Sequence, residues 1–124
     1  MIANVTLVVR DYDEAIAWYR DKLGFLITDA DLGGGKRWVT AAPSGGGCAL
    51  LLAQAATPQQ AASIGHQAGG RVFLFLHTDD FARDHAAMTA AGVRFLEAPR
   101  QEAYGSVAVF EDLYGNRWDL LQPA

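Results

Sequence analysis

The 124-residue sequence predicts an α+β fold of two tandem βαβββ modules. Three observations carry this. A strand-like run followed by a capped amphipathic helix occurs twice; the two copies are offset by a nearly constant number of residues; and the strands alternate so that each sheet has one face for its helix and one bare.

In the first module, about residues 1–55, "VTLVV" (5–9) is a short β-branched run. It leads into "DYDEAIAWYRDKLG", with helical spacing at Ala15, Trp18 or Tyr19, and Leu23. Asp11 with Glu14 three residues later reads as a capping box, and Gly24 suits the left-handed position after the last turn. "FLITDADL" and "KRWVTAAP" read as strands, and "CALLLAQ" after the turn "PSGGG" reads as the third. A connector, about 56–70 and rich in Ala, Gln and Gly, has room for one short helix. In the second module, about 71–124, the strand "RVFLFLH" precedes a helix with Phe81 and Met88 on its apolar side, closing at Gly92. Val5 matches Val72 at an offset of 67, Gly24 matches Gly92 at 68, and Leu51 matches Asp119 at 68.

Alternation places Val72, Leu74 and Leu76 under the helix, and Arg71, Phe73, Phe75 and His77 on the other face. In the first strand, Val5, Leu7 and Val9 oppose Asn4, Thr6 and Val8. Arg117, Asp119 and Leu121 share one face of the last strand, with Trp118 on the opposite, helix-covered side. Two such sheets, each bare on one face, would curve around a shared cleft. The facing of Trp38 is not set by alternation.

Length and composition fit one soluble domain, 1–124, with a core that needs no cofactor to fold. No apolar run is long enough to span a bilayer, and no leader pattern opens the chain, so a cytoplasmic protein is expected. A formal charge of −4 and the lack of a Lys/Arg cluster argue against nucleic acid as a partner. The single cysteine, Cys48, rules out an internal disulfide and is expected as a small buried thiol at a strand start. The glycines of "DLGGGK" and "PSGGG" lack the strand-to-helix context of a phosphate loop and read as hairpin turns. Among the histidines, His66 reads as a solvated loop residue, His77 as a strand end too far from Arg71 to share a site, and His85 as a helix packing residue.

The segments "NVTLVVRDYDEAIAWYRDKLGF" and "YGSVAVFEDLYGNRWDLLQP", with the repeat joining them, resemble the vicinal-oxygen-chelate superfamily of glyoxalase I, extradiol dioxygenases, and fosfomycin- and bleomycin-resistance proteins. The likeness covers nearly the whole chain. "DLYGN" carries Leu113 where that family usually has proline. The resemblance implies a homodimer and a divalent metal held by cleft-facing side chains. Carried over one at a time, the first-strand ligand falls on Asn4, its second-module partner on Arg71, the closing carboxylate on Asp119, and the matching acid on Leu51. Only Asp119 keeps a typical ligand, and it is the sole, weak metal candidate.

Such metals need about three protein donors. Leu51 offers none, and a guanidinium ~4 Å from a divalent ion would be repelled by ~8 kcal/mol at an effective dielectric of 20. The leading expectation is therefore that Arg71 pairs with Asp119 in place of the metal. The other arrangements are that both reach solvent, or that a metal is retained.

The sequence thus points to a glyoxalase/bleomycin-resistance-like protein that binds a small organic molecule in a dimer cleft. Asn4, Arg71, Phe73, Phe75, Tyr104 and Asp119 are the candidate binding residues. No cofactor is expected, and no residue is assigned a catalytic role. The alternative is a metal-dependent lyase, isomerase or dioxygenase using Mn, Fe, Ni or Zn. A purely structural dimer of ferredoxin-like topology would need a βαβ-βαβ rhythm, which the repeat does not have.

Overall fold

The structure, a computed structural model, describes residues 1–124. The chain forms two compact units, Met1–Ile64 and Gly65–Ala124. Their boundary falls inside the segment expected to be a connector.

The first unit contains β1 (Asn4–Val9), α1 (Tyr12–Leu23), β2 (Leu26–Gly33), β3 (Lys36–Ala42), β4 (Ala49–Gln54) and the short α2 (Pro58–Ser63). Its sheet order is β1-β4-β3-β2, with the outer strand β1 parallel to β4 and the remaining pairs antiparallel. A parallel pair needs a long crossover, and α1 with the β2–β3 hairpin supplies it. Helix α1 starts where the Asp11 carboxylate accepts the Glu14 N–H at 2.9 Å, and ends at Gly24, whose φ of 68° is left-handed. Leu7, Val9, Val39, Ala41, Leu50 and Leu52 from the sheet and Ala15, Ile16 and Tyr19 from α1 are all buried. In α2, Thr57 caps the first turn and Pro58 occupies its start.

The second unit contains β5 (Val72–His77), α3 (Phe81–Ala90), β6 (Arg94–Phe95), β7 (Arg100–Glu102), β8 (Gly105–Glu111) and β9 (Arg117–Pro123). Its order is β5-β9-β8-β6, with β5 parallel to β9, and β7 also pairing with β8. Asp80 caps α3 through the Arg83 N–H, and the Gln122 side chain accepts the Phe81 N–H at 2.8 Å, fastening the helix start to β9. An aromatic ladder crosses the helix-to-sheet layer. His85 lies between Phe81 and Phe95 with ring centroids 5.5 and 4.2 Å away, and Phe110 lies between Phe95 and Trp118 at 5.6 and 5.8 Å. His85 is thus a packing residue, and Trp118 is buried, as the sequence predicts.

Three sequence expectations need correction. Cys48 is exposed, because it precedes the first rung of β4, Asn4 to Ala49. The expected second strand of the second module is two pieces, β6 and β7, interrupted around Pro99, which has no N–H to donate. Finally, β5 carries a register shift between Val72 and Leu74. Val72 is level with Arg117, but Leu74 is level with Trp118, so β5 holds one extra residue there and the simple two-residue alternation is broken.

Candidate functional site

The strand ladders decide which residues meet. Asp119 is level with Phe75 on one side and Val109 on the other. Arg71 precedes Val72 and therefore lies beside the start of β9, not beside Asp119. The expected Arg71–Asp119 pair does not form: Arg71 is exposed and holds no carboxylate, and the charged groups acting on Asp119 are Arg100 and Glu97. The ladders also realign the repeat. Thr6 is level with Leu51 as Phe75 is with Asp119, and Asn4 is level with Ala49 as Val72 is with Arg117. The counterpart of Asn4 is thus Val72, and the neighbour of the lone acid is a phenyl ring.

The surroundings of Asp119 follow from the break in the second strand. Phe95 pairs with Phe110 and Arg100 with Val107, so the segment between Phe95 and Arg100 is longer than the β8 stretch it faces. The surplus leaves the Val109 N–H without a backbone acceptor at that rung. The Glu97 carboxylate turns in and accepts it at 2.9 Å. Arg100 Nε then donates to both Glu97 oxygens, at 3.0 and 3.1 Å, while its Nη1 reaches Glu102 at 2.7 Å. Hydrogen bonds to Glu102, Glu97 and Tyr104 hold the Arg100 guanidinium above its ordinary pKa. The bulge thus brings an arginine and a carboxylate toward Asp119.

Asp119 is only 8% exposed, and its Oδ1 is buried without a hydrogen-bond partner. Burial raises its pKa; Arg100 opposes the rise and Glu97 adds to it. Around it the face is apolar and open. Phe75 is 61% exposed and Tyr104 53%, with Val109 and Leu121 half-buried, while Phe73 lies at the register shift and lines a separate cavity with Arg71. A large exposed phenyl ring next to an unsatisfied buried acid is an arrangement that folding alone does not reward.

In the first unit, the register sets Trp38 on the same side as Thr40, whose rung partner is Leu51, and therefore away from α1. Thr28 and Thr40 share a short hydroxyl hydrogen bond on this side, which also carries Thr6 and the exposed edge residue Asn4. It has no carboxylate matching Asp119, because Leu51 occupies that place.

No group of three His, Cys, Asp or Glu side chains comes together as a metal would require. Asp119 has Phe75 and Val109 as rung partners, and the nearby Glu97 is already engaged by Arg100 and the Val109 N–H. This donor set does not fit a resident divalent ion. Arg100 and Glu97 escaped the sequence reading. The signal available was "EAPRQEAYG", in which opposite charges flank a proline that interrupts a strand.

Two units, each with a parallel first-to-last strand pair, one crossover helix and one sheet face open, define the glyoxalase-like class of βαβββ proteins. The chain belongs to the Glyoxalase/Bleomycin resistance protein/Dioxygenase superfamily, whose family model matches residues 1–120. An uncharacterized protein of Shewanella frigidimarina is 56% identical over 98% of this chain and 92% of its own length. Among solved structures, UcmS2 superposes with a TM-score of 0.83 at 28% identity, covering 98% of this chain and 96% of that one. TnmS3, an antibiotic binding protein from Streptomyces sp. CB03234, superposes with a TM-score of 0.80 at 28% identity, covering 100% and 96%.

Proposed function

We propose that the chain binds a small organic molecule, antibiotic-like in being largely aromatic or apolar with one polar group, on the Asp119 face of the second sheet, without a divalent metal. The observation that carries this is the pairing of an exposed Phe75 with a buried Asp119 whose Oδ1 has no partner. Phe75 supplies the stacking surface, and Asp119 Oδ1 accepts a hydrogen bond from the ligand's donor or cationic group. Arg100, with Glu97 and Tyr104, positions the acid and fixes the local charge. The net charge of −4 favours neutral or cationic ligands over anionic ones at this face. The likeness to an antibiotic binding protein supports the same ligand class. On this reading the protein acts as a cytoplasmic homodimer whose second copy helps cover the bound molecule, and it has no catalytic residue.

The rival reading, a metal-dependent lyase, isomerase or dioxygenase, has one observation in its favour: an orphan carboxylate oxygen also suits a cation. The shortage of further donors weighs against it.

The test is a thermal-shift and calorimetric screen of aromatic antibiotics with and without chelator. A ligand that binds the native state raises the melting temperature by mass action. The expected result is a hit whose shift survives chelator and whose affinity falls about tenfold or more in Phe75→Ala and Asp119→Ala, as loss of a stacking ring or a charged hydrogen bond implies. Near-stoichiometric Mn, Fe, Ni or Zn in purified protein, released by Asp119→Ala, would overturn the proposal.

A further inference from the structure

A cavity of about 120 Å³ lies where β5 and β9 begin, lined by His66, Ala68, Arg71, Phe73, Asn116 and Arg117 together with glycine backbone. Its charge is unlike that of the rest of the chain. Every other arginine holds a carboxylate: Arg10 with Glu14, Arg20 with Asp21, Arg37 with Asp13 and Asp29, Arg83 with Asp79 and Asp84, Arg94 with Glu111, Arg100 with Glu97 and Glu102. Arg71 and Arg117 alone form no ion pair, and both line this one cavity. The ladder explains why Arg117 is left over. Its cross-strand neighbour Glu111 is also the rung partner of Arg94, and Arg94 takes it at 3.2 Å.

The third observation is a buried polar atom. Asn116 is only 3% exposed; its Nδ2 donates to Asp112 at 3.0 Å, but its Oδ1 has no partner. The amide cannot be turned over to satisfy Oδ1, because that would set an oxygen against the Asp112 carboxylate. Asp112, the nearest acid on this loop, is not among the lining residues, and its oxygens accept from the N–H groups of Tyr114 and Asn116 and from Asn116 Nδ2.

From this we infer a small-oxyanion site: the cavity binds hydrogen phosphate or a hydroxycarboxylate, whose oxygens are held by Arg71 and Arg117 and whose hydroxyl donates to Asn116 Oδ1. Guanidinium forks match both oxyanions, and the orphan acceptor requires that the anion bring a donor of its own. Phe73 walls one side and suits the carbon part of a hydroxycarboxylate. The inference is independent of what binds beside Asp119.

The test is a backbone-amide NMR titration at low ionic strength with inorganic phosphate, glycolate, acetate and chloride. Saturable shifts confined to residues 65–73 and 115–117 are expected with phosphate and glycolate, with acetate several-fold weaker than glycolate for want of a hydroxyl. Arg71→Gln and Arg117→Gln should each weaken binding about tenfold, the scale of one charged hydrogen bond. Both side chains are exposed, so the variants are expected to keep the native spectrum, which the same experiment reads. Tighter phosphate identifies the ligand as hydrogen phosphate; tighter glycolate identifies a hydroxycarboxylate. Shifts equally produced by chloride, amides unmoved by phosphate and glycolate alike, variants that bind as the parent does, or acetate equal to glycolate would each overturn it.

Discussion

Glu97 and Val109 are joined by a side-chain-to-backbone bond, 2.9 Å from carboxylate to N–H, where the sheet would otherwise use a backbone carbonyl. The bond lets β6 and β7 both pair with β8 although the stretch between them is too long for a regular ladder. Because Val109 is the rung partner of Asp119, the same repair places the Glu97–Arg100 pair near the one buried acid of the sheet face.

Removing the acceptor should expose that dependence. Glu97→Ala leaves the Val109 N–H without its partner, and losing a partly buried acceptor costs about 1–3 kcal/mol. Glu97→Gln keeps a carbonyl oxygen for the N–H and should lose less than half as much. Urea denaturation of the three proteins checks this; equal losses in Ala and Gln would mean that the charge on Glu97, and not the bond to Val109, matters.

Asp119 makes a prediction of the opposite sign. Burial raises its pKa, so the folded state holds the proton more tightly than the unfolded chain does. Its stabilising contribution is full below the unfolded value, near the ordinary carboxylate pKa, and is lost as pH rises through the raised folded value. Asp119→Asn should therefore raise the melting temperature at pH 7 relative to the parent, with the gain shrinking as the buffer is taken below about pH 4. A gain that is constant with pH, or a loss at pH 7, would contradict the sign.

Phe110 anchors the aromatic ladder between Phe95 and Trp118 and is fully buried. Truncation to alanine should cost about 3–5 kcal/mol, as for other buried phenylalanines. Phe75→Ala, by contrast, removes a ring that is 61% exposed and should change stability by less than about 1 kcal/mol while weakening ligand binding. Paired melting and binding measurements separate a residue that builds the sheet from one that uses it.

Much of the fold was legible because local signals agreed: Asp11 and Gly24 bracket α1 as caps, Gly92 closes the second helix region, and strand alternation separates Leu74 and Leu76 from Phe75. Asp119 was legible as the single acid of an apolar strand. Its partner was not. The Arg71 assignment rests on matching Val5 to Val72 at an offset of 67, whereas the ladders match Asn4 to Val72 at 68 and leave Arg71 just outside β5. Two adjacent apolar positions, Val72 and Phe73, fit the first-strand pattern equally well, so composition and hydropathy do not reveal the one-residue difference. The roles of Arg100 and Glu97 depend on how a surplus in β6–β7 is absorbed, which is a property of the partner strand as much as of their own.

Gly105 tests the hairpin that carries Tyr104 and Arg100. Its φ is 144°, and an added Cβ would lie 2.1 Å from the Gln122 carbonyl oxygen, which belongs to the backbone of β9 and cannot swing aside. Gly105→Ala should destabilise by about 2 kcal/mol or more, since both the backbone conformation and the strand spacing are strained. Gly34→Ala is the matched control: it too has a positive φ, 62°, but an added Cβ there meets nothing within 4 Å. Its loss should stay near 1 kcal/mol, the usual scale for a left-handed non-glycine residue. Chemical denaturation gives both values. Comparable losses at the two positions would mean that β8 and β9 can part at Gly105 without effort, and that the hairpin beside Asp119 is not held as closely as the 2.1 Å approach requires.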